Sequence, residues 1–201
     1  AVPRLTLKYS PLDQIVLRAN GGRGLRRALP VIDNIGVLST GKAFAGAYSD
    51  HLLEDAWTFG GNATFYLPFG ASDDTYLSFD YFGTRFAEQM VVDYEHGLNA
   101  IDFYALGGKR SYSNNYQVDF NVEAFRRFTV SATFRYTDAM VELEGRGLVE
   151  RPMTSRYKGV LNLQYATNLN KWIFDFTASV NGKSRVYEFM KGLRGEDGEL
   201  L

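Results

Sequence analysis

The sequence predicts an all-β chain, an antiparallel up-and-down meander of about eight strands. Three observations carry that expectation. Over residues 112–137 apolar and polar side chains alternate with a period of two. Tyr116, Val118, Phe120 and Val122, then Phe128, Val130, Ala132, Phe134 and Tyr136, share one face; Gln117, Asp119 and Asn121, then Thr129, Ser131, Thr133 and Arg135, share the other. Successive side chains of a strand point to opposite faces, so each half is a strand with one apolar and one polar side, and the residues between leave room only for a tight turn. The same alternation returns in several other stretches, and the connections between them alternate between short and long.

Taken in order, residues 3–9 set Leu5, Leu7 and Tyr9 against Arg4, Thr6 and Lys8, and the turn formers Ser10-Pro-Leu-Asp13 close the strand. Residues 14–20 answer with Ile15, Leu17 and Ala19, and Gly21-Gly-Arg-Gly24 is expected to end regular pairing. A loop is then expected over 21–55, holding Arg23, Arg26 and Arg27 and later Tyr48 and His51; loops of such length in a compact domain are usually functional. Residues 57–67 alternate again, 68–74 turn, and a strand is expected from Thr75 to about Val92. Tyr94 and His96 fall in the next loop, and residues 100–106 lead towards the central hairpin with a bulge expected at Gly107-Gly108. The hairpin turns at 124–127. Residues 140–155, with Glu142, Glu144, Arg146, Glu150 and Arg151 around glycines and a proline, read as a charged loop. Strands at 157–167 and 172–181 flank a turn at 168–170, and 182–201 carries no strand pattern. Alternate connections of a meander lie at the same end of the sheet, so one rim has tight turns and the other large loops.

Composition narrows the partners. Across 201 residues Lys plus Arg (22) nearly balance Asp plus Glu (23), and no basic run appears, which argues against nucleic acid. Cysteine is absent, so thiolate metal sites, Cys nucleophiles and disulfides are excluded. Alternation alone does not distinguish a membrane barrel with its apolar side outward from a soluble β-sandwich with that side inward. The sorted loops, strands long enough for the ~9–11 residues that cross a bilayer at a tilt, and aromatics near strand ends favour a transmembrane β-barrel. Those aromatics are Trp57, Tyr66, Tyr112, Phe128, Tyr136, Tyr157 and Trp172, where interfacial girdles sit. In the sandwich reading the same rings plug the ends of the fold.

Two segments resemble the TonB-dependent outer-membrane receptors of Gram-negative bacteria. Pro3-Arg-Leu-Thr-Leu-Lys-Tyr-Ser-Pro11 followed by Val16-Leu-Arg-Ala-Asn-Gly-Gly-Arg-Gly-Leu-Arg-Arg27 resembles the family's paired strands ending in a glycine-aromatic-arginine corner, with Leu25 where an aromatic is usual. Ser111-Tyr-Ser-Asn-Asn-Tyr-Gln-Val-Asp119 with Phe134-Arg-Tyr-Thr-Asp-Ala139 resembles its mid-barrel hairpin. The resemblance covers almost all of the chain. It implies an interior stretch of the barrel spanning 1–201, without the plug domain or the closing C-terminal strand, in the outer membrane and without enzymatic activity or a cofactor. It further implies import of a scarce nutrient, a metal chelate such as a siderophore, haem or a corrinoid, energised by the TonB complex through the plug. Outer-membrane lipid and lipopolysaccharide are the other implied partners. A passive porin-like barrel and a soluble carbohydrate-binding sandwich remain the rivals.

No catalytic constellation emerges. Gly21-Gly-Arg-Gly24 opens no helix, and Gly182-Lys-Ser184 lacks the earlier glycine of a phosphate loop. His51 and His96 stand in different loops, and Asp93 with Glu95, like Glu142 with Glu144, are carboxylates without an inferable base or nucleophile. Ligand contacts are expected in the outer loops, from Arg23, Arg26, Arg27, Tyr48, His51, Tyr94 and His96; the arginines have the forked geometry that pairs with carboxylates, phosphates and anionic chelates.

Overall fold

The structure, a computed structural model, describes residues 2–36, 41–46, 52–95 and 99–187. In chain order its elements are β1 (Arg4–Leu12), β2 (Ile15–Arg27), the single helical turn α1 (Pro30–Asp33), β3 (Ala43–Ala45), β4 (Leu53–Tyr66), β5 (Tyr76–Glu88) and β6 (Met90–Asp93). There follow β7 (Ala100–Ala105), β8 (Ser111–Phe125), β9 (Phe128–Leu143), β10 (Gly147–Glu150), β11 (Tyr157–Ala166) and β12 (Ile173–Asn181). The long strands form one antiparallel meander in the order β1-β2-β4-β5-β8-β9-β11-β12, with β10 added on β9. The chain is all-β, and the outer strands β1 and β12 do not pair with each other.

Register puts the alternation to work. Val118 faces Phe134, Phe120 faces Ala132 and Val122 faces Val130, while Gln117, Asp119 and Asn121 face Arg135, Thr133 and Ser131. The two faces therefore separate as the pattern predicts. The apolar face continues over Leu7, Ala19, Gly61 and Tyr81 in one direction and Leu161 and Ala178 in the other. Much of it is open: Leu5, Leu7, Phe79, Phe134, Phe174 and Phe176 are exposed. On the opposite face the polar side chains bond to one another across strands. Arg18 reaches Asn62 at 3.1 Å, Asn62 reaches Asp80 at 2.8 Å, Thr133 reaches Asp119 at 2.6 Å, Ser131 reaches Asn121 at 2.7 Å and Asn162 reaches Asp175 at 2.7 Å.

Short and long connections are sorted to opposite ends, and the long ones fold. A small sheet of order β3-β7-β6 sits there, with β3 and β7 parallel and β7 and β6 antiparallel. Its two faces carry the buried core. Ala28, Met90, Ile101 and Phe103 pack on one side with Phe44, Leu52 and Tyr94. Val91, Leu106 and Leu143 pack on the other with Phe86, Val141 and Val149. Phe86, Val141 and Leu143 belong by parity to the polar face of the large sheet, and that face turns apolar where the small sheet covers it.

Several boundaries differ from expectation. The glycines at 21–24 do not end pairing; β2 runs on to Arg27, opposite Leu53. Their backbone is extended, and at Gly22 the need is close approach: a Cβ there would lie 3.0 Å from the Pro3 carbonyl oxygen. The first turn falls at Asp13-Gln14, because Ser10 and Pro11 continue β1 with a register shift, and an edge strand tolerates a proline. The expected strand at 75–92 splits, β5 staying in the large sheet and β6 leaving for the small one. Gly107 and Gly108, at φ 60° and 79°, form a turn before β8 rather than a bulge within a strand. The central hairpin turns at Arg126-Arg127, with Arg127 at φ 70° and the Phe125 and Phe128 rings stacked 4.6 Å apart behind it. The charged loop expected at 140–155 is largely the β9–β10 hairpin, because Val141 and Leu143 gain a core to enter.

Candidate functional site

The folded cap brings together side chains far apart in sequence. Strand β6 ends on Asp93 and leads into Tyr94 and Glu95, the β9–β10 turn supplies Arg146, and the segment after β12 returns with Arg185 and Tyr187. The Arg146 fork bonds the Asp93 carboxylate with one arm and Glu95 Oε2 at 2.6 Å with the other. Arg185 donates to both Glu95 oxygens, at 2.8 and 2.6 Å, and to the Glu150 carbonyl at 3.3 Å. The Glu95 amide closes the group on Asp93 Oδ1 at 2.8 Å. Both carboxylates are only 2% exposed. Such burial is tolerable because each negative charge meets a guanidinium in forked geometry; removing one partner would strand a buried charge.

The electrostatics follow from the packing. The hydrogen bond that Arg146 donates to Asp93 pushes the arginine above its ordinary value, against a smaller opposing effect of burial, so the guanidinium keeps its charge. Tyr94, Tyr104 and Tyr187 are all pushed up, chiefly by burial, and remain neutral phenols. The charges meet in pairs, the Arg146 and Arg185 guanidinium groups against the Asp93 and Glu95 carboxylates, and so hold the cap together.

Beside this clasp lies a cleft of about 400 Å³ whose walls include Met90, Val92, Tyr94, Val141, Arg151 and Tyr187. The Tyr94 and Tyr187 rings meet at 5.4 Å, and the Tyr94 hydroxyl donates to Asn34 Oδ1 at 2.8 Å. Among the described residues no group of His, Cys, Asp or Glu is placed to hold a metal ion.

The expected ligand residues are distributed as follows. Arg23 forks Asp55 at 2.8 and 2.5 Å, with its guanidinium 5.9 Å from the Trp57 ring centre. Arg26 donates to Glu54 at 2.9 Å and to Asp33 of α1 at 2.8 Å. Arg27 closes β2. Tyr94 joins the cap wall and is tied to the arginine corner through α1, since Asp33 takes Arg26 and the next residue, Asn34, takes Tyr94. Tyr48, His51 and His96 lie outside the described residues.

Asp93 and Glu95 stand out in the sequence as a carboxylate pair, but their partners come from Arg146 and Arg185, and no spacing rule points to those two. No family model matches the chain, and no curated protein matches it.

Proposed function

We propose that the large sheet is a stretch of transmembrane wall in an outer-membrane β-barrel, with the cap as its folded outer loops, in a receptor of the TonB-dependent kind that imports a small nutrient. What carries the reading is the two-faced sheet: an open apolar face bounded by aromatic rows, opposite a face of hydrogen-bonded polar side chains. Tyr81, Tyr116, Tyr136 and Tyr157 stand level on four neighbouring strands near the cap. The first three rings follow one another at 5.0 and 6.3 Å. Phe128, Tyr165 and Phe174 make a second row at the tight-turn end. Residues 128 and 136 bracket the band on β9; at ~3.4 Å per residue and a tilt of ~40° the rows would lie about 20 Å apart along a barrel axis, close to the height of a lipid-facing band. Soluble sandwiches bury such a face under a second sheet, whereas the small sheet here packs at the loop end.

Trp57 and Trp172 are the chain's two tryptophans and sit at opposite ends of the band. Folded into phosphatidylcholine vesicles, both should be quenched most by bromine placed near the headgroups and least by bromine at the bilayer centre. A chain that stays in the aqueous phase, with unquenched tryptophans, would overturn the membrane reading. For cargo, uptake of a metal chelate by cells expressing the parent receptor should stop when TonB is removed; continued uptake would mark a diffusion pore instead.

A further inference from the structure

The polar face of the large sheet has one feature its hydrogen-bond network does not account for. Phe82 lies in the middle of that face, between Gly60 and Asn115 in register, and is 45% exposed. By parity its ring belongs among amides, hydroxyls and charges rather than with Phe79 and Tyr81 on the apolar side. Gly60 makes room for it: a Cβ there would come within 3.2 Å of both the Phe82 ring and the Asn20 side-chain oxygen. Next to the ring is a hollow of about 330 Å³ walled by Asp80, Phe82, Asn115, Gln117 and Arg135.

These polar groups are held in place from behind. Asp80 accepts from Asn62 at 2.8 Å and from Ser78 at 3.0 Å, one bond on each oxygen, which leaves further lone pairs open. Gln117 donates to Asp119 at 2.7 Å and accepts Arg135 Nε at 2.8 Å. The terminal Nη groups of Arg135 take no partner among the described residues. Asn115 is fixed by Thr137 at 2.9 Å and Ser113 at 3.2 Å. One carboxylate and one guanidinium leave the hollow without net charge, which favours a neutral ligand. Planar carboxylate, amide and guanidinium groups each offer two adjacent atoms, a match for neighbouring hydroxyls. An aromatic face carries negative potential and meets the polarised C–H face of a sugar ring well.

We infer that this hollow is a saccharide site, in which a neutral oligosaccharide stacks on Phe82 and is hydrogen-bonded by Asp80, Asn115, Gln117 and Arg135. The site goes beyond the membrane reading and does not depend on it, because the hollow lies on the face opposite the one that would meet lipid. A ring on a pre-organised polar surface loses little freedom when it binds, so its removal should cost most of the stacking.

The test uses the purified chain in lauryldimethylamine oxide micelles, a detergent without a sugar headgroup, titrated separately with maltoheptaose and chitotetraose. Binding is read by calorimetry and by saturation-transfer NMR on the sugar. At least one sugar should bind, with strongest saturation on its ring C–H protons. Phe82→Ala should weaken that binding about tenfold or more, while Phe82→Tyr keeps it. Phe79→Ala removes an equally exposed ring from the opposite face and should bind as the parent does. Gln117→Ala, which keeps the Phe82 ring, should also weaken binding. If neither sugar binds, or Phe82→Ala binds as well as the parent while keeping the parent's circular dichroism, the inference is overturned. A chain that binds sugar but does not enter vesicles sinks the membrane reading alone; one that enters vesicles and ignores both sugars sinks this inference alone.

Discussion

At the scale of single residues, two neighbours on β9 make the clearest contrast. Phe134 lies on the exposed apolar face and Ser131 on the polar one, where its hydroxyl donates to Asn121. In vesicles, Phe134→Arg should destabilise the fold by roughly 2–4 kcal/mol, since a guanidinium would be drawn into lipid, whereas Ser131→Arg should cost far less. Equal losses in a denaturant titration would remove the lipid-facing assignment. In the cap, Arg146→Ala would leave Asp93 and Glu95 buried with half their compensation gone, a loss of about 3–5 kcal/mol for a broken buried pair. Amide exchange across β6 and β7 should accelerate; unchanged protection there would show that the clasp is dispensable. The arginine corner is a milder matter, because Arg23 and Arg26 are partly exposed and already hold Asp55, Glu54 and Asp33. Replacing Arg23, Arg26 and Arg27 together by Gln should still weaken lipopolysaccharide binding and flatten its salt dependence. Unchanged binding across a salt series would confine these arginines to pairing within the chain.

At the scale of elements, the small sheet and the large one hold together by different physics. Strands β6 and β7 are stabilised by two apolar clusters, one on each face, so the cap is an ordinary water-excluding core. The meander has hydrogen-bonded ladders and a polar network but little buried apolar surface of its own. The tyrosines of the cap report its integrity. Burial raises Tyr94 and Tyr187 above the ordinary phenol value of 10.0 because the neutral form is favoured inside. A folded value above the unfolded one means that their contribution is complete below pH 10.0 and is lost as pH rises through the folded value. Ultraviolet titration should therefore show late-ionising phenols that disappear when the cap is opened by Arg185→Ala. Phenols that all ionise together in the parent chain would contradict the packing of Tyr94 on Tyr187.

At the scale of the whole molecule, what remains unpaired matters most. Among the described residues the outer edges of β1 and β12 present open donors and acceptors, and both strands are exposed along their whole length on both faces. An apolar face crossing all eight strands of the meander lies beside them. In water the isolated chain should bury edges and face by associating. Sedimentation should give oligomers or aggregates without detergent and a defined, smaller protein mass with it. A monodisperse monomer in plain buffer would contradict the exposure of this face.

The sequence by itself determined the meander: where its long strands lie, that neighbours pair, and which side chains share a face. Alternation is a local property, and a slip of one residue would invert every strand, so the pattern in residues 112–137 was enough to set which residues of β8 and β9 share a face. It also sorted short connections from long. Tertiary structure alone decided the rest. Whether Gly21–Gly24 ends a strand depended on the pairing of β2 with β4, and whether 140–155 is a loop depended on a core that Val141 and Leu143 could enter. The clasp of Asp93, Glu95, Arg146 and Arg185 joins partners up to 90 residues apart, and the placing of Phe82 beside Arg135 depends on register across β5, β8 and β9. No local period encodes such meetings, because they arise only when long loops fold back and strands align.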